Sequence, residues 1–224
     1  MMKPNWEVCW HWSLPYEQTL YWQYQRRSEI LQECKGDTLL FVEHQSCVTL
    51  GKRGGVIDQL ALEKHGIEVH QIKRGGLATW HGPGQLVLYP IFNIQKRKIG
   101  IRSWVCILQK SIISLLNTWD LDAYADSHTA GIWVADHKIA SIGLEIHKGI
   151  SIHGCAINIT NSLQSFQYID PCGTRNLNLI TLEELLKTRS PIEYSLHQIG
   201  RLWSQHFQSA LENASQQSSI HCRI

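Results

Sequence analysis

The stretch Arg74-Gly75-Gly76-Leu77-Ala78-Thr79-Trp80-His81-Gly82-Pro83-Gly84-Gln85 is the most informative part of this 224-residue chain. Four glycines and a proline are atypical of a packed helix or strand, because glycine loses more backbone entropy on folding than any other residue. Such a run indicates unusual φ values or close approach of the backbone to a ligand. Arg74 and His81 add a fixed cation and a group that exchanges protons near neutral pH. The alternative is an ordinary surface loop.

The composition indicates a globular protein. Hydrophobic residues make up 43% and charged residues 18% of the chain, which is enough apolar sequence for a sizeable core. The net charge of +2 is too small to indicate nucleic acid as the main partner. No apolar run reaches the length of a signal peptide or a membrane span. We therefore expect a cytoplasmic protein that binds neither nucleic acid nor a membrane.

The cysteines are scattered and contain no C-x-x-C pair. This pattern is typical of reduced thiols in a cytoplasm rather than of a disulfide framework, and it argues against a structural zinc site. We expect no metal and no cofactor. The seven positions are Cys9, Cys34, Cys47, Cys106, Cys155, Cys172 and Cys222.

Hydrophobic periodicity predicts a single mixed α/β domain of the α+β type over residues 1–211, followed by a polar, disordered tail at 212–224. Helices are predicted at 13–35, 58–65, 103–119, 181–187 and 194–211, the fourth opening with a capping box formed by Thr181 and Glu184. Strands are predicted at 38–43, 47–50, 67–72, 86–94, 131–134, 138–146 and 150–160. Pro90 lies inside one of these strands and indicates an edge strand or a bulge.

Cys172 has loop-forming residues on both sides, in Asp170-Pro171-Cys172-Gly173. Proline fixes φ and glycine frees it, so the thiol is presented on a shaped turn. A thiol with a pKa of about 8.5 needs a nearby cation to ionise at neutral pH. Lys138, which precedes the small residues of Ile139-Ala140-Ser141-Ile142-Gly143, is a candidate for that cation. The alternatives are an inert loop thiol and a solvated surface lysine.

A third candidate segment is His153-Gly154-Cys155-Ala156, where a glycine inside a strand permits close approach of a ligand. A buried, hydrogen-bonded His153 is the alternative. Together the segments resemble the lipoyl(octanoyl) transferase family, over about residues 13 to 185. The matching motifs are Arg74-Gly-Gly-x-x-Thr-x-His81-Gly-Pro-Gly-Gln85, Lys138-Ile-Ala-Ser-Ile-Gly143, His153-Gly154-x-Ala156-x-Asn158 and Pro171-Cys172-Gly173.

The resemblance implies a fold and a set of roles. The family shares its fold with biotin protein ligases and lipoate–protein ligases, with a mixed, curved sheet around an acyl pocket and flanking helices. Cys172 matches the nucleophile that takes octanoyl from acyl carrier protein as a thioester, and Lys138 matches the residue that lowers the pKa of this thiol and transfers protons. The implied substrate-binding residues are Arg74, Gly75, Gly76, Leu77, Ala78, Thr79, Trp80, His81, Ser141, Ile142, Gly143, Gly154, Cys155 and Ala156.

The implied donor is octanoyl–acyl carrier protein. The implied acceptors are the lipoyl domains of 2-oxoacid dehydrogenases and the H protein of glycine cleavage, and the family likeness suggests a monomer. Two other functions stay open. An ATP-dependent lipoate–protein ligase of the same fold would need no cysteine nucleophile, and a non-catalytic protein that binds lipoyl domains or acyl carrier protein would tolerate loss of Cys172 and Lys138.

The densest basic cluster follows the strand after the glycine-rich run. Both implied protein substrates are acidic, so we expect this cluster to contact one of them. The alternative is a solvated helix start with no partner. The cluster consists of Lys96, Arg97, Lys98 and Arg102.

Overall fold

The computed structural model describes residues 5–126, 131–175, 177–187 and 194–216, apart from the side chains of Cys172, Ser215 and Gln216. Within these residues the helices are α1 (Tyr16–Leu31), α2 (Gln59–Lys64), α3 (Ile101–Leu116), α4 (Leu182–Leu186) and α5 (Leu196–Gln216). The strands are β1 (Glu7–Leu14), β2 (Thr38–His44), β3 (Cys47–Leu50), β4 (Glu68–Gln71), β5 (Ala78–His81), β6 (Gln85–Ile91), β7 (Ala123–Ala125), β8 (Gly131–Val134), β9 (His137–His147) and β10 (Ile150–Asn158).

The strands form two mixed sheets. The larger sheet has the order β1-β2-β6-β10-β9-β8-β7, and the smaller has the order β4-β3-β5. In the larger sheet β1 runs parallel to β2 and the other neighbours are antiparallel. In the smaller sheet β3 is parallel to β4 and antiparallel to β5. The predicted mixed α/β architecture is therefore confirmed, and the predicted strands 131–134, 138–146 and 150–160 form the expected meander.

The side chains of the larger sheet alternate between two different environments. On one face they pack against α3 and α5 in one apolar cluster, which includes Phe41, Leu88, Trp104, Trp203 and Phe207. On the other face, smaller clusters lie beneath α1 and beside the smaller sheet. This second face buries the polar residues His44 and His153 beside apolar neighbours.

The N-terminal segment differs from its prediction. The predicted helix 13–35 begins only at Tyr16, with Pro15 as its N-cap, and Ser13 belongs to β1. Strand β1 lies at the edge of the larger sheet, and most of its side chains are exposed or half-buried. Val8, Trp10, Trp12 and Leu14 alternate with more polar residues, which is the period of a half-buried strand, so the predicted start of the helix at residue 13 overlooked a readable strand signal.

Pro90 lies in a central strand, so the expectation of an edge strand is wrong. The expected irregularity is present: β10 pairs with β6 from Asn158 to Cys155, and the ladder is interrupted opposite Pro90. There His153 has φ +57°, which is uncommon for a residue other than glycine. The ladder resumes where the Ser151 N–H donates to the Phe92 carbonyl at 2.9 Å.

The C-terminal helices are close to their predictions. The Thr181–Glu184 capping box at α4 is confirmed. Helix α5 continues to Gln216, so residues 212–216 are helical and only residues 217–224 of the predicted tail lie outside the described residues. No helix in the described ranges has the length and apolar character needed to cross a bilayer.

The cysteines agree in part with the expectation of reduced thiols. Cys9, Cys34, Cys47 and Cys155 are free thiols. Cys106 departs from the expectation, because it is disulfide-bonded.

Candidate functional site

The glycine-rich run connects the two sheets. Its first residues form a loop in which the Gly75 N–H donates to the Leu144 carbonyl of β9 at 2.8 Å. Gly76 adopts φ +89°, a conformation that favours glycine. A Cβ at Gly143 would lie 3.0 Å from the Arg74 Cδ, so the absence of a side chain there lets the run approach β9. The prediction that this run forms no regular element is wrong in part, because residues 78–81 form β5.

A cavity of about 390 Å³ lies between this run, β9 and β10. It brings together thirteen of the fourteen predicted substrate-binding residues and also Lys138. These thirteen are Arg74, Gly75, Gly76, Leu77, Ala78, Thr79, His81, Ser141, Ile142, Gly143, Gly154, Cys155 and Ala156. The sequence motifs therefore converge on one cavity, although they lie as far apart as residues 74 and 156.

Trp80 is the exception among the predicted residues. Side chains alternate along β5, so Thr79 and His81 line the cavity while Trp80 points to the opposite face. Its ring packs edge-on against Phe166, with centroids 5.5 Å apart, and its Nε1–H donates to Ser46 Oγ at 2.9 Å. Trp80 therefore belongs to the small core beneath the second sheet and not to the cavity wall.

Lys138 is a buried lysine and not a solvated strand-end charge. Its side chain lines the cavity, and only 1% of the residue is exposed. A Cβ at Gly131 of β8 would lie 2.9 Å from the Lys138 Nζ, so glycine leaves the room that this ammonium occupies. A buried lysine requires compensating interactions, because desolvation disfavours its charged form.

The turn of Cys172 lies next to a residue of the cavity wall. Pro171–Gly173 form a short 3₁₀ turn, and Gly173 has φ +78°. A Cβ at Gly173 would lie 2.8 Å from the Cδ1 of Leu77, which lines the cavity. The chain then returns past Lys138, whose N–H donates to the Asn178 carbonyl at 2.8 Å. The side chain of Cys172 itself lies outside the described residues.

Buried histidines and tyrosines underlie the cavity. Tyr16, Tyr89 and His153 line it, and Tyr16 Oη lies 3.5 Å from His153 Nδ1. Behind them, His44 Nε2 is hydrogen-bonded to Tyr89 Oη at 2.8 Å. Burial lowers the pKa of His44 and of His153 to about 3, and that of His81 to about 4. These imidazoles are therefore neutral at physiological pH and act as hydrogen-bonding groups.

Sequence reasoning missed the polar lining residues Tyr16, Tyr89 and Arg53. It named the segment of His153 as a candidate, with a buried, hydrogen-bonded histidine as the alternative, and the structure shows His153 both buried and in the cavity lining. Tyr16 opens α1, Tyr89 lies within an apolar strand, and Arg53 is part of a short turn. None of the three belongs to a motif with a chemical signature, so no signal in the sequence alone selects them.

The basic cluster is only partly available to a partner. Lys96 Nζ lies 3.3 Å from Glu33 Oε1, with both side chains largely exposed. The Arg97 Nε–H donates to Asp37 Oδ2 at 2.6 Å, and its guanidinium lies 5.2 Å from the centroid of the Phe92 ring. Arg97 therefore has structural contacts within the fold, whereas Lys98 and Arg102 are exposed.

Known proteins match most of this chain. Residues 15–207 match the family described as the lipoyl protein ligase A/B catalytic domain. The octanoyltransferase of Shewanella sp. (strain MR-7) is 41% identical over 157 residues, which are 70% of this chain and 71% of the relative. The octanoyltransferase of Shewanella baltica (strain OS155) is 38% identical over 191 residues, 85% of this chain and 82% of the relative. The chain belongs to the octanoyltransferase family.

Solved structures agree on the fold of this octanoyltransferase. Lipoate-protein ligase A bound with ATP matches with a TM-score of 0.74 at 16% identity, covering 93% of this chain and 86% of that one. A bipartite lipoate protein ligase from Thermoplasma acidophilum matches with a TM-score of 0.68 at 14% identity, covering 92% of this chain and 83% of that one. Biotin protein ligase from Aquifex aeolicus matches with a TM-score of 0.56 at 12% identity, covering 97% of this chain and 72% of that one. The predicted biotin/lipoate protein ligase-like fold is confirmed.

Cys155 is the second cysteine in the motifs of this octanoyltransferase, and its surroundings set it apart. The residue is 2% exposed and lines the cavity from β10. Burial raises the pKa of its thiol far above the ordinary value. Because the thiolate is the nucleophilic form, Cys155 is a neutral wall residue at physiological pH.

Proposed function

We propose that this octanoyltransferase moves octanoyl from octanoyl–acyl carrier protein to a lysine of lipoyl domains, through a thioester on Cys172. The observation that carries this proposal is the burial of Lys138 in a cavity walled by the glycine-rich run. A buried ammonium is costly unless an anion lies nearby, and a thiolate on the adjoining turn would be that anion. The apolar part of the lining suits an acyl chain, and it includes Leu77, Val87, Val105, Ile142 and Leu144.

The first step is a thioester exchange. The Cys172 thiolate attacks the carbonyl carbon of the donor thioester, a new C–S bond forms, and the C–S bond to the carrier breaks. The carrier sulfur leaves with the electron pair and takes a proton from the Lys138 ammonium. The products are an octanoyl thioester on Cys172, a neutral Lys138 amine and the free carrier thiol.

The second step forms an amide. The amine of the acceptor lysine attacks the octanoyl carbonyl, the C–N bond forms, and Cys172 leaves as a thiolate. Lys138 takes the proton that the attacking nitrogen loses, acting as the general base. This restores the ammonium and thiolate, so one group serves as acid and then as base without an external cofactor.

The proposed acceptors are the lipoyl domains of 2-oxoacid dehydrogenases and the H protein of glycine cleavage, and the proposed location is the cytoplasm. We infer from the family likeness that the enzyme acts as a monomer. The glycine-rich run, β9, β10 and the Cys172 turn all come from the same domain.

The decisive experiment is intact-mass analysis after incubation with octanoyl–acyl carrier protein without ATP. We expect a gain of one octanoyl group that hydroxylamine removes and that lipoyl domain then accepts. Cys172→Ser should lose both the mass gain and the transfer, since a neutral hydroxyl is a poor nucleophile in a site built for a thiolate. Cys155→Ser is the matched control and should still be acylated.

Two outcomes would contradict the proposal. Normal turnover by Cys172→Ser, with acylation at Cys155, would identify Cys155 of β10 as the nucleophile. Product formation that requires free octanoate and ATP would identify a ligase instead.

A further inference from the structure

The cavity lining carries charge of one sign. Arg53, Arg74 and Lys138 line it, and no Asp or Glu of the described residues does. An octanoyl chain and its thioester are uncharged. Cations gathered in a low-dielectric cleft without carboxylates favour an anion, so a bound molecule is expected to bring negative charge to this cavity.

Two of the three cations already have partners or roles. The Arg74 guanidinium donates to the Thr49 carbonyl at 2.7 Å and to Thr49 Oγ1 at 2.9 Å, which fixes the glycine-rich run to β3. Lys138 serves the Cys172 thiolate in the proposed reaction. Arg53 is exposed, and its side chain makes no ion pair or hydrogen bond with any residue in the described ranges.

Arg53 is held in place by its backbone. Gly51 and Gly54 form an isolated antiparallel bridge, so Lys52 and Arg53 occupy the tip of a tight turn. The turn is fixed to the cavity wall, because the Lys52 N–H donates to the Arg74 carbonyl at 2.9 Å and the Arg53 N–H donates to the Gly76 carbonyl at 3.3 Å. Two cations are therefore presented at a defined place beside the cavity.

The surrounding sequence reinforces this charge. No Asp or Glu occurs between Glu68 and Asp120, the stretch that contains the glycine-rich run and α3. Lys73 and Arg102, both exposed, directly adjoin the cavity-lining residues Arg74 and Ile101. No carboxylate of that stretch competes with an incoming anion.

We propose that Arg53, with Lys52 beside it, binds the phosphodiester of the phosphopantetheine arm on which octanoyl arrives. This inference rests on the proposed function. For the donor carbonyl to reach Cys172, the arm must pass through the cavity mouth, and its phosphodiester is the arm's anionic group. A guanidinium matches phosphate oxygens with two parallel hydrogen bonds, and the Lys52 ammonium adds a second positive charge.

The test compares two small donors, octanoyl-pantetheine and octanoyl-4′-phosphopantetheine, which differ in the phosphate. The rate of enzyme acylation is measured by mass spectrometry at low salt. We expect the wild type to use the phosphorylated donor with about tenfold higher kcat/KM, which is the size of effect typical of one hydrogen bond to a charged group. Arg53→Gln should reduce the preference to near unity, because it lowers kcat/KM for the phosphorylated donor far more than for octanoyl-pantetheine. Arg201→Gln, an exposed change on α5, should keep the wild-type preference.

A binding measurement separates this inference from the proposed function. 4′-Phosphopantetheine, but not pantetheine, should raise the Tm of the wild type and of Cys172→Ser, and it should not raise the Tm of Arg53→Gln. If no donor acylates the wild type while this pattern holds, the proposed function fails and the phosphate site stands.

Three results would overturn the phosphate site. The first is equal use of both donors by the wild type. The second is an equal rate loss on both donors in Arg53→Gln, which would indicate a structural role. The third is an unchanged donor preference with a raised KM for the lipoyl domain, which would assign Arg53 to carboxylates of the acceptor.

Discussion

The two faces of the seven-stranded sheet are built from the same strands but differ in the polarity of the side chains that they bury. Towards α3 and α5, the buried side chains are almost all apolar, and aromatic rings pack directly, as Trp203 and Phe207 do with centroids 4.9 Å apart. Towards the smaller sheet, the strands bury His44 and His153. His153 lines the cavity that contains Lys138, and Val105 of α3 and Ile142 of the large cluster complete part of its apolar wall.

The difference follows from strand alternation. In β2, Leu39 and Phe41 join the large cluster, while Leu40 and Val42 face the other side, where the strand ends at His44. Burying polar and charged groups costs free energy unless they are paired, so the polar groups of the second face add less stability than apolar ones would. The apolar face offsets that cost, and we expect substitutions on the two faces to separate stability from activity.

The largest effect is expected from Lys138→Met on the cavity face. Transfer should fall by about a thousandfold, within the range for loss of a general acid and base. The free energy of unfolding should stay equal or rise, because an apolar side chain replaces a buried cation. The pH at which iodoacetamide alkylates Cys172 should rise, since a neighbouring cation favours the thiolate.

Lys110→Met, an exposed change on α3, is the control for this substitution and should behave as the wild type. Superimposable alkylation profiles for the wild type and Lys138→Met would show that Lys138 does not tune the thiol.

Trp203→Ala on the apolar face should have the opposite signature. Trp203 is fully buried, and its removal should lower the free energy of unfolding by about 3–5 kcal/mol. Turnover per folded molecule should remain near the wild-type value, because Trp203 is not among the residues that line the cavity. Urea unfolding and activity assays at low temperature measure the two quantities. A loss of turnover in fully folded protein would show that the two faces do not separate stability from activity.

Acidification should destabilise the cavity face. Burial lowers the pKa of His44 and His153 to about 3 and of His81 to about 4, against about 6.5 in the unfolded chain. Between these values the unfolded chain binds more protons, so stability is full above about pH 6.5 and falls as the pH drops. At pH 5 each histidine should cost about 2 kcal/mol.

Urea unfolding at pH 7 and pH 5 measures this loss. In His44→Gln the loss between the two pH values should shrink by about 2 kcal/mol. His147→Gln, which changes an exposed histidine, should retain the full loss. An unchanged loss in His44→Gln would mean that His44 is not held neutral in the fold.

The smallest effect is expected at the basic cluster. Lys96→Glu combined with Arg102→Glu should raise KM for one of the protein substrates about twofold at low salt and leave kcat unchanged, because exposed charges act mainly on encounter. Arg97→Glu should instead lower stability by about 1–3 kcal/mol, since its bond to Asp37 is lost. If KM for both protein substrates is unaltered at low salt, the cluster has no partner.

The sequence by itself determined the motifs and most of the elements. The Thr181–Glu184 capping box and the meander of β8, β9 and β10 follow from local hydrogen bonding and strand periodicity, which nearby residues set. The glycine-rich run, Lys138 and Cys172 were selected because their chemistry and flanking residues are readable at short range. The edge strand β1 is also readable in the alternation of Val8, Trp10, Trp12 and Leu14 with more polar residues, although the prediction started a helix at residue 13 instead.

Tertiary structure alone decided which side chains share the cavity. Tyr16 comes from α1, Arg53 from a tight turn and Tyr89 from an apolar strand, and none of the three belongs to a motif. Trp80 lies inside the best motif, yet strand alternation turns it away from the cavity. Local sequence fixes what a side chain can do, but its direction and neighbours depend on sheet pairing between distant segments, and that pairing is settled only when the whole core packs.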